Sequence, residues 1–110
     1  MAEVSKDNEN KAYEAVELAK KTGKLKKGVN EVTKAVEKGI AKLVVYAADV
    51  NPQEVIMHLK PLCEEKNIPC VIVSSREELG AAAGLDVSTA SIAIIKEGES
   101  AQLIKELASK

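Results

Sequence analysis

Apolar residues recur at helical spacing early in the chain. Ala12, Ala15, Val16 and Ala19 share one face and Gly23 follows, which predicts a helix from Asn8 to Thr22. Lys24 to Lys27, centred on Leu25, predicts a short edge strand. A second helix is expected from Asn30 to Lys38, capped by Asn30 and stopped by Gly39, with Val32, Ala35 and Val36 inward and Glu31, Lys34 and Lys38 outward. Leu43 to Ala47 is an unbroken apolar run, too short for a helix and rich in β-branched residues, and reads as a buried strand. Asn51-Pro52-Gln53-Glu54 is a helix start, and Pro61 should break or kink that third helix near Leu59–Lys60. Cys70 to Val73 and Ile92 to Ile95 read as further buried strands. Between them, Ser75-Arg76-Glu77-Glu78 forms a capping box that opens a short helix ending at Gly84. A last amphipathic helix spans Ala101 to Ala108, with Leu103, Ile104 and Leu107 inward.

Strands alternate with helices throughout. That pattern predicts an α/β fold, a three-layer α/β/α sandwich with helices on both faces of a small sheet. At 110 residues the chain is expected to form one domain, with residues 1–7 polar and loose. There is no linker, internal repeat or low-complexity segment.

Composition narrows the function. The two Tyr, with no Phe or Trp, leave the core to Val, Ile, Leu and Ala and remove the aromatic platforms that usually stack single-stranded bases. Net charge is −1, but it is unevenly spread. Lys20, Lys21, Lys24, Lys26, Lys27, Lys34, Lys38 and Lys42 face only Glu31 and Glu37 in their stretch, a local balance of +6. Such a field steers a polyanion even on a near-neutral protein. A solvated lysine-rich surface accounts for the charge equally well. Cys63 and Cys70 lack C-x-x-C spacing and nothing reads as a signal peptide, so reduced thiols in a cytoplasmic protein are expected. No apolar run approaches the roughly 18 residues of a membrane span.

Within the basic stretch, Lys26-Lys27-Gly28-Val29-Asn30-Glu31-Val32-Thr33-Lys34 carries the most specific chemistry. If Asn30 starts a helix, Asn30, Glu31 and Lys34 crowd its first turn on one side. The N–H groups of a helix start favour anions. An amide, an acid and an ammonium together meet both donors and acceptors on a base edge. That combination points to nucleic acid. Catalytic machinery is missing. His58, the only histidine, falls in an apolar helix and reads as structural. No Ser-His-acid set, zinc spacing or glycine-rich nucleotide loop occurs, and Glu77 and Glu78 are explained as helix-start acids. No enzyme activity, cofactor or metal is expected.

The run from Gly28-Val29-Asn30-Glu31-Val32-Thr33-Lys34 through Val45 resembles the archaeal large-subunit ribosomal protein family called L-seven-Ae. So do Ala47-Ala48-Asp49-Val50-Asn51-Pro52, the run from His58-Leu59-Lys60-Pro61 to Pro69, Leu79-Gly80 with Ala83-Gly84-Leu85, and the run from Ala93 to Gly98. The similarity covers residues 10 to 100, with the segments in family order and spacing.

The resemblance implies a four-stranded mixed sheet and binding to kink-turn and kink-loop RNA, bent helices built on tandem sheared G·A pairs with one base flipped out. It implies a place in the large ribosomal subunit, in guide RNA particles of the box C/D and H/ACA types, and in ribonuclease P, with ribonucleoprotein scaffold proteins as partners and a monomer when free. Residue by residue, it implies that Asn30, Glu31 and Lys34 read the guanines of the G·A pairs. Gly28 would bring backbone close to RNA, Lys27 would contact the RNA backbone, and Arg76 would lie near phosphate. Residues 85–89, with Leu85, Val87, Ser88 and Thr89, would cover the flipped-out base, flanked by Val55. The sequence departs from the usual family pattern at Val29 (often Thr or Ala), at Asn51 (often an acid) and at Ser88 and Thr89 (commonly Pro or Ala). Two other readings stay open: a protein-interaction module on the same fold with weak RNA affinity, and a small α/β ligand-binding domain.

Overall fold

The computed structural model describes residues 6–49 and 59–108. In chain order these form α1 (Lys6–Thr22), β1 (Lys24–Lys27), α2 (Val29–Glu37), β2 (Leu43–Ala47), α3 (Leu59–Glu65), β3 (Cys70–Val73), α4 (Arg76–Ala82), β4 (Ser91–Lys96), a 3-10 turn (Gly98–Ser100) and α5 (Ala101–Ala108). The strands make one mixed sheet in the order β1-β4-β2-β3. β4 runs antiparallel to both of its neighbours, whereas β2 and β3 are parallel. A parallel pair needs a crossover between its strands, and the stretch containing α3 supplies it.

Helices cover both faces. α1 packs with α4 and α5 and crosses the sheet from β1 to β3; α2 lies against β1, β4 and α3. The core sits where the two layers meet the central strands. β2 is buried along its whole length, as the unbroken apolar run requires, and Ile92 and Ile94 of β4 are fully enclosed beside it. Ala12, Ala15, Val16 and Ala19 bury the face of α1 that their spacing marks, and Ile104 and Leu107 do the same for α5.

Three differences from the sequence reading bear on the fold and the site. α1 begins at Lys6 rather than Asn8, because polar residues alone do not stop a helix. β3 is only half-buried at Cys70, Val71 and Ile72. It was expected in the interior, but it is the outer strand beyond β2, so one side of it meets solvent. α2 runs from Val29 to Glu37 instead of Asn30 to Lys38, a shift that matters for the site. The Asn51-Pro52 helix start, Val55 and His58 lie outside the described residues; beyond them the chain is helical from Leu59 through Pro61 to Glu65. Neither Cys63 nor Cys70 is in a disulfide.

Candidate nucleic-acid interface

The strand register brings the candidate residues to one end of the sheet. Lys27, the last residue of β1, lies opposite Ile92 near the start of β4; Ser91 lies opposite Tyr46, and Ala47 opposite Val73. The carboxyl ends of β1, β2 and β3 therefore converge with the amino end of β4. α2 leaves this end immediately after β1, and α4 leaves it immediately after β3.

The turn into α2 is made by Gly28. Its N–H donates to Ser91 O at 3.1 Å, which ends the strand, and its backbone then turns to φ 90°, ψ 151°, a region that favours glycine. Its carbonyl accepts the first helical bond, from Val32 N at 2.9 Å. Gly28 is thus the N-cap, and the expectation that Asn30 fills that role is corrected. The left-handed glycine turn starts the helix one residue early and leaves Asn30 inside its first turn. No side chain caps α2. Asn30, Glu31 and Lys34 are all exposed, while Val32, Ala35 and Val36 are buried. At about 100° per residue, Lys34 falls between Asn30 and Glu31 on a single outward arc. Their side chains have no hydrogen-bond or ion-pair partner among the described residues.

α4 is built in the opposite way. Ser75 Oγ accepts from Glu78 N at 3.2 Å, the expected cap, and Asp49 Oδ1 accepts from Arg76 N at 2.9 Å. Arg76 therefore enters the helix with its amide held from the end of β2 and its side chain exposed. α1 secures the same junction: Tyr13 Oη donates to Ser75 O at 3.3 Å, and Glu9 Oε2 accepts from Ser74 N. Burial pushes the Tyr13 phenol up to about 12, with Glu9 and Glu78 adding to the rise.

Residues 85–89 run back along α4. Leu85 N donates to Gly80 O at 2.9 Å, and Thr89 N donates to Arg76 O at 3.2 Å. Gly80 makes the approach possible, since a Cβ there would lie 2.3 Å from Val87 O. Leu85 is half-buried against the core, Val87 is 70% exposed, Ser88 is exposed and Thr89 is 7% exposed. The four do not share one surface, then: Val87 and Ser88 face outward, and Thr89 faces in.

Charge is less concentrated than the sequence implies. All eight lysines of the basic stretch are exposed, but Lys24, Lys38 and Lys42 stand at the far end, where β1 begins, α2 ends and β2 begins. A nine-residue helix carries the chain about 13 Å from the site. Lys27 and Lys34 stay near Gly28, and Lys26 sits one residue further along β1. Asp49, Gly80 and Ser91 are the positions that sequence reasoning did not assign to the site. Asp49 caps a helix distant in sequence, and Ser91 acts through its backbone carbonyl, so neither leaves a local sequence signal.

The ribosomal protein L7Ae/L30e/S12e/Gadd45 family model matches residues 10–104. Among solved structures, the Giardia lamblia 15.5kD RNA binding protein superposes with a TM-score of 0.90 at 30% sequence identity, over 96% of this chain and 88% of that one.

Proposed function

The chain belongs to the ribosomal protein L7Ae/L30e/S12e/Gadd45 family, and from that premise we propose that it is an RNA-binding protein that recognises kink-turn and kink-loop motifs. The observation that carries the reading is the uncapped start of α2, where Asn30, Glu31 and Lys34 stand exposed on one arc. A carboxylate next to RNA is tolerable only where it meets donors, and guanine N1–H and N2–H are donors. Glu31 accepts from a guanine while Lys34 donates to O6 or N7. Regular A-form RNA hides those edges in a deep, narrow groove, whereas a splayed G·A site lays them open. The RNA-binding relative named above supports a polynucleotide partner over a protein one.

Lys27 and Arg76 supply charge to the RNA backbone on either side of the reading arc, and Gly28 lets backbone approach where a side chain would intrude. Val87 and Ser88 meet the flipped-out base, and the family resemblance adds Val55 to the residues that flank it. The protein acts by shape capture: it binds the bent form and shifts RNA that samples it. This is a binding role that needs no cofactor. The physiological setting we propose is cytoplasmic, in the large ribosomal subunit and in guide RNA particles of the box C/D and H/ACA types, with ribonuclease P as a further site and scaffold proteins as partners of a chain that is monomeric when free. A gel-shift titration with a kink-turn RNA and with a copy whose G·A pairs are replaced tests the reading. Tight binding to the first alone is expected; equal binding to both would reject it.

A further inference from the structure

We propose that Thr89 is a positioning residue whose hydroxyl locks the 85–89 loop to the Gly28 turn through one shared acceptor, the carbonyl oxygen of Ser91. Thr89 Oγ1 donates to Ser91 O at 3.1 Å, and Gly28 N donates to the same oxygen at 3.1 Å. A carbonyl has two lone pairs, and both are used. Thr89 N in turn donates to Arg76 O, and Asp49 Oδ1 holds Arg76 N. One continuous set of bonds therefore joins the turn that starts α2, the first residue of β4, the loop and the start of α4. These are the pieces that the proposed RNA surface draws on.

The family resemblance implies that Thr89 covers the flipped-out base. Its burial and its committed hydroxyl give it a different task. Val87 and Ser88 are the exposed residues of the loop, so they touch the ligand, and Thr89 holds them at a fixed distance from Asn30 and Glu31. The Ser91 side chain takes no part: its Oγ is buried without a partner among the described residues, so Ser91 enters the coupling through its carbonyl alone. Fixing both halves before binding spares the ordering cost that a mobile loop would add on association.

The coupling can be read without RNA. Amide hydrogen exchange is followed by NMR on the full chain for wild type, Thr89→Val and Thr89→Ser. Thr89→Val keeps the shape and removes the hydroxyl; Thr89→Ser returns it. The Gly28 amide should exchange roughly threefold to tenfold faster in Thr89→Val, the scale of one lost hydrogen bond, and Thr89→Ser should restore it. The Val44 amide, bonded to Pro69 O at the far end of the sheet, is the control. A general loss of stability would speed Val44 and Gly28 together, and that result would overturn the proposal, as would an unchanged Gly28. Dissociation of a kink-turn RNA should be faster for Thr89→Val and normal for Thr89→Ser. That arm rests on the RNA reading. Failure of the wild type to bind RNA would sink that reading while leaving the exchange result to decide the coupling.

Discussion

Two helices start at the same end of the sheet and are finished in opposite ways. α4 is closed from within: Ser75 caps it, Asp49 takes the Arg76 amide, and Tyr13 and Glu9 of α1 bind the residues just before it. α2 is left open: a glycine turns the chain, no side chain caps the helix, and the polar residues of its first turn face solvent. A helix start with internal partners serves the fold. One without them keeps its donors and its dipole for something outside. On the proposed RNA-binding reading, the difference separates a supporting element from a reading element at one end of the sheet.

The two starts should respond to substitution in opposite currencies. Glu31→Ala and Lys34→Ala should each cost about 1–3 kcal/mol of kink-turn RNA affinity, the usual scale of a base-reading contact, with thermal unfolding almost unmoved. Gly28→Ala should cost about 1–2 kcal/mol of stability, because an L side chain is strained at a left-handed φ, and denaturant titration reads the loss. Ser75→Ala should cost about 1 kcal/mol of stability through the lost cap. The contrast would fail if the Glu31 and Lys34 substitutions acted mainly on unfolding. Lys27→Ala should change affinity least and instead make the log–log salt dependence shallower by about one.

The smallest effect under ordinary conditions concerns the support of α4. Tyr13 and Tyr46 are both pushed up to about 12 from an ordinary value of 10.0, chiefly by burial. The folded state holds these protons more tightly than the unfolded chain does. The stability they contribute is therefore complete below pH 10 and lost as pH rises from 10 through 12. Thermal melts across that window should fall, and Tyr13→Phe should flatten part of the decline.

Much of this was legible in the chain. Periodicity located the buried faces of α1, α2 and α5, and the β-branched run at Leu43–Ala47 announced the central strand. The Ser75 cap was readable because capping is a local contract between residues three apart. What escaped was set by distance in sequence. Gly28 replaced Asn30 as the cap because its φ is fixed by the bond to Ser91, a partner on another strand. β3 was read as interior because an apolar run does not disclose whether its strand is central or outermost. The basic stretch looked like one patch because sequence proximity ignores the length of the helix between Lys27 and Lys38.

The most direct measurement crosses one protein change with one RNA change. Affinities of wild type and Glu31→Ala are measured for a kink-turn RNA and for the copy with its G·A pairs replaced. If the open start of α2 reads those guanines, the Glu31 change costs about 1–3 kcal/mol on the first RNA and almost nothing on the second. An equal loss on both RNAs would show that Glu31 does not meet the guanines, and the account of α2 as the reading element would be wrong.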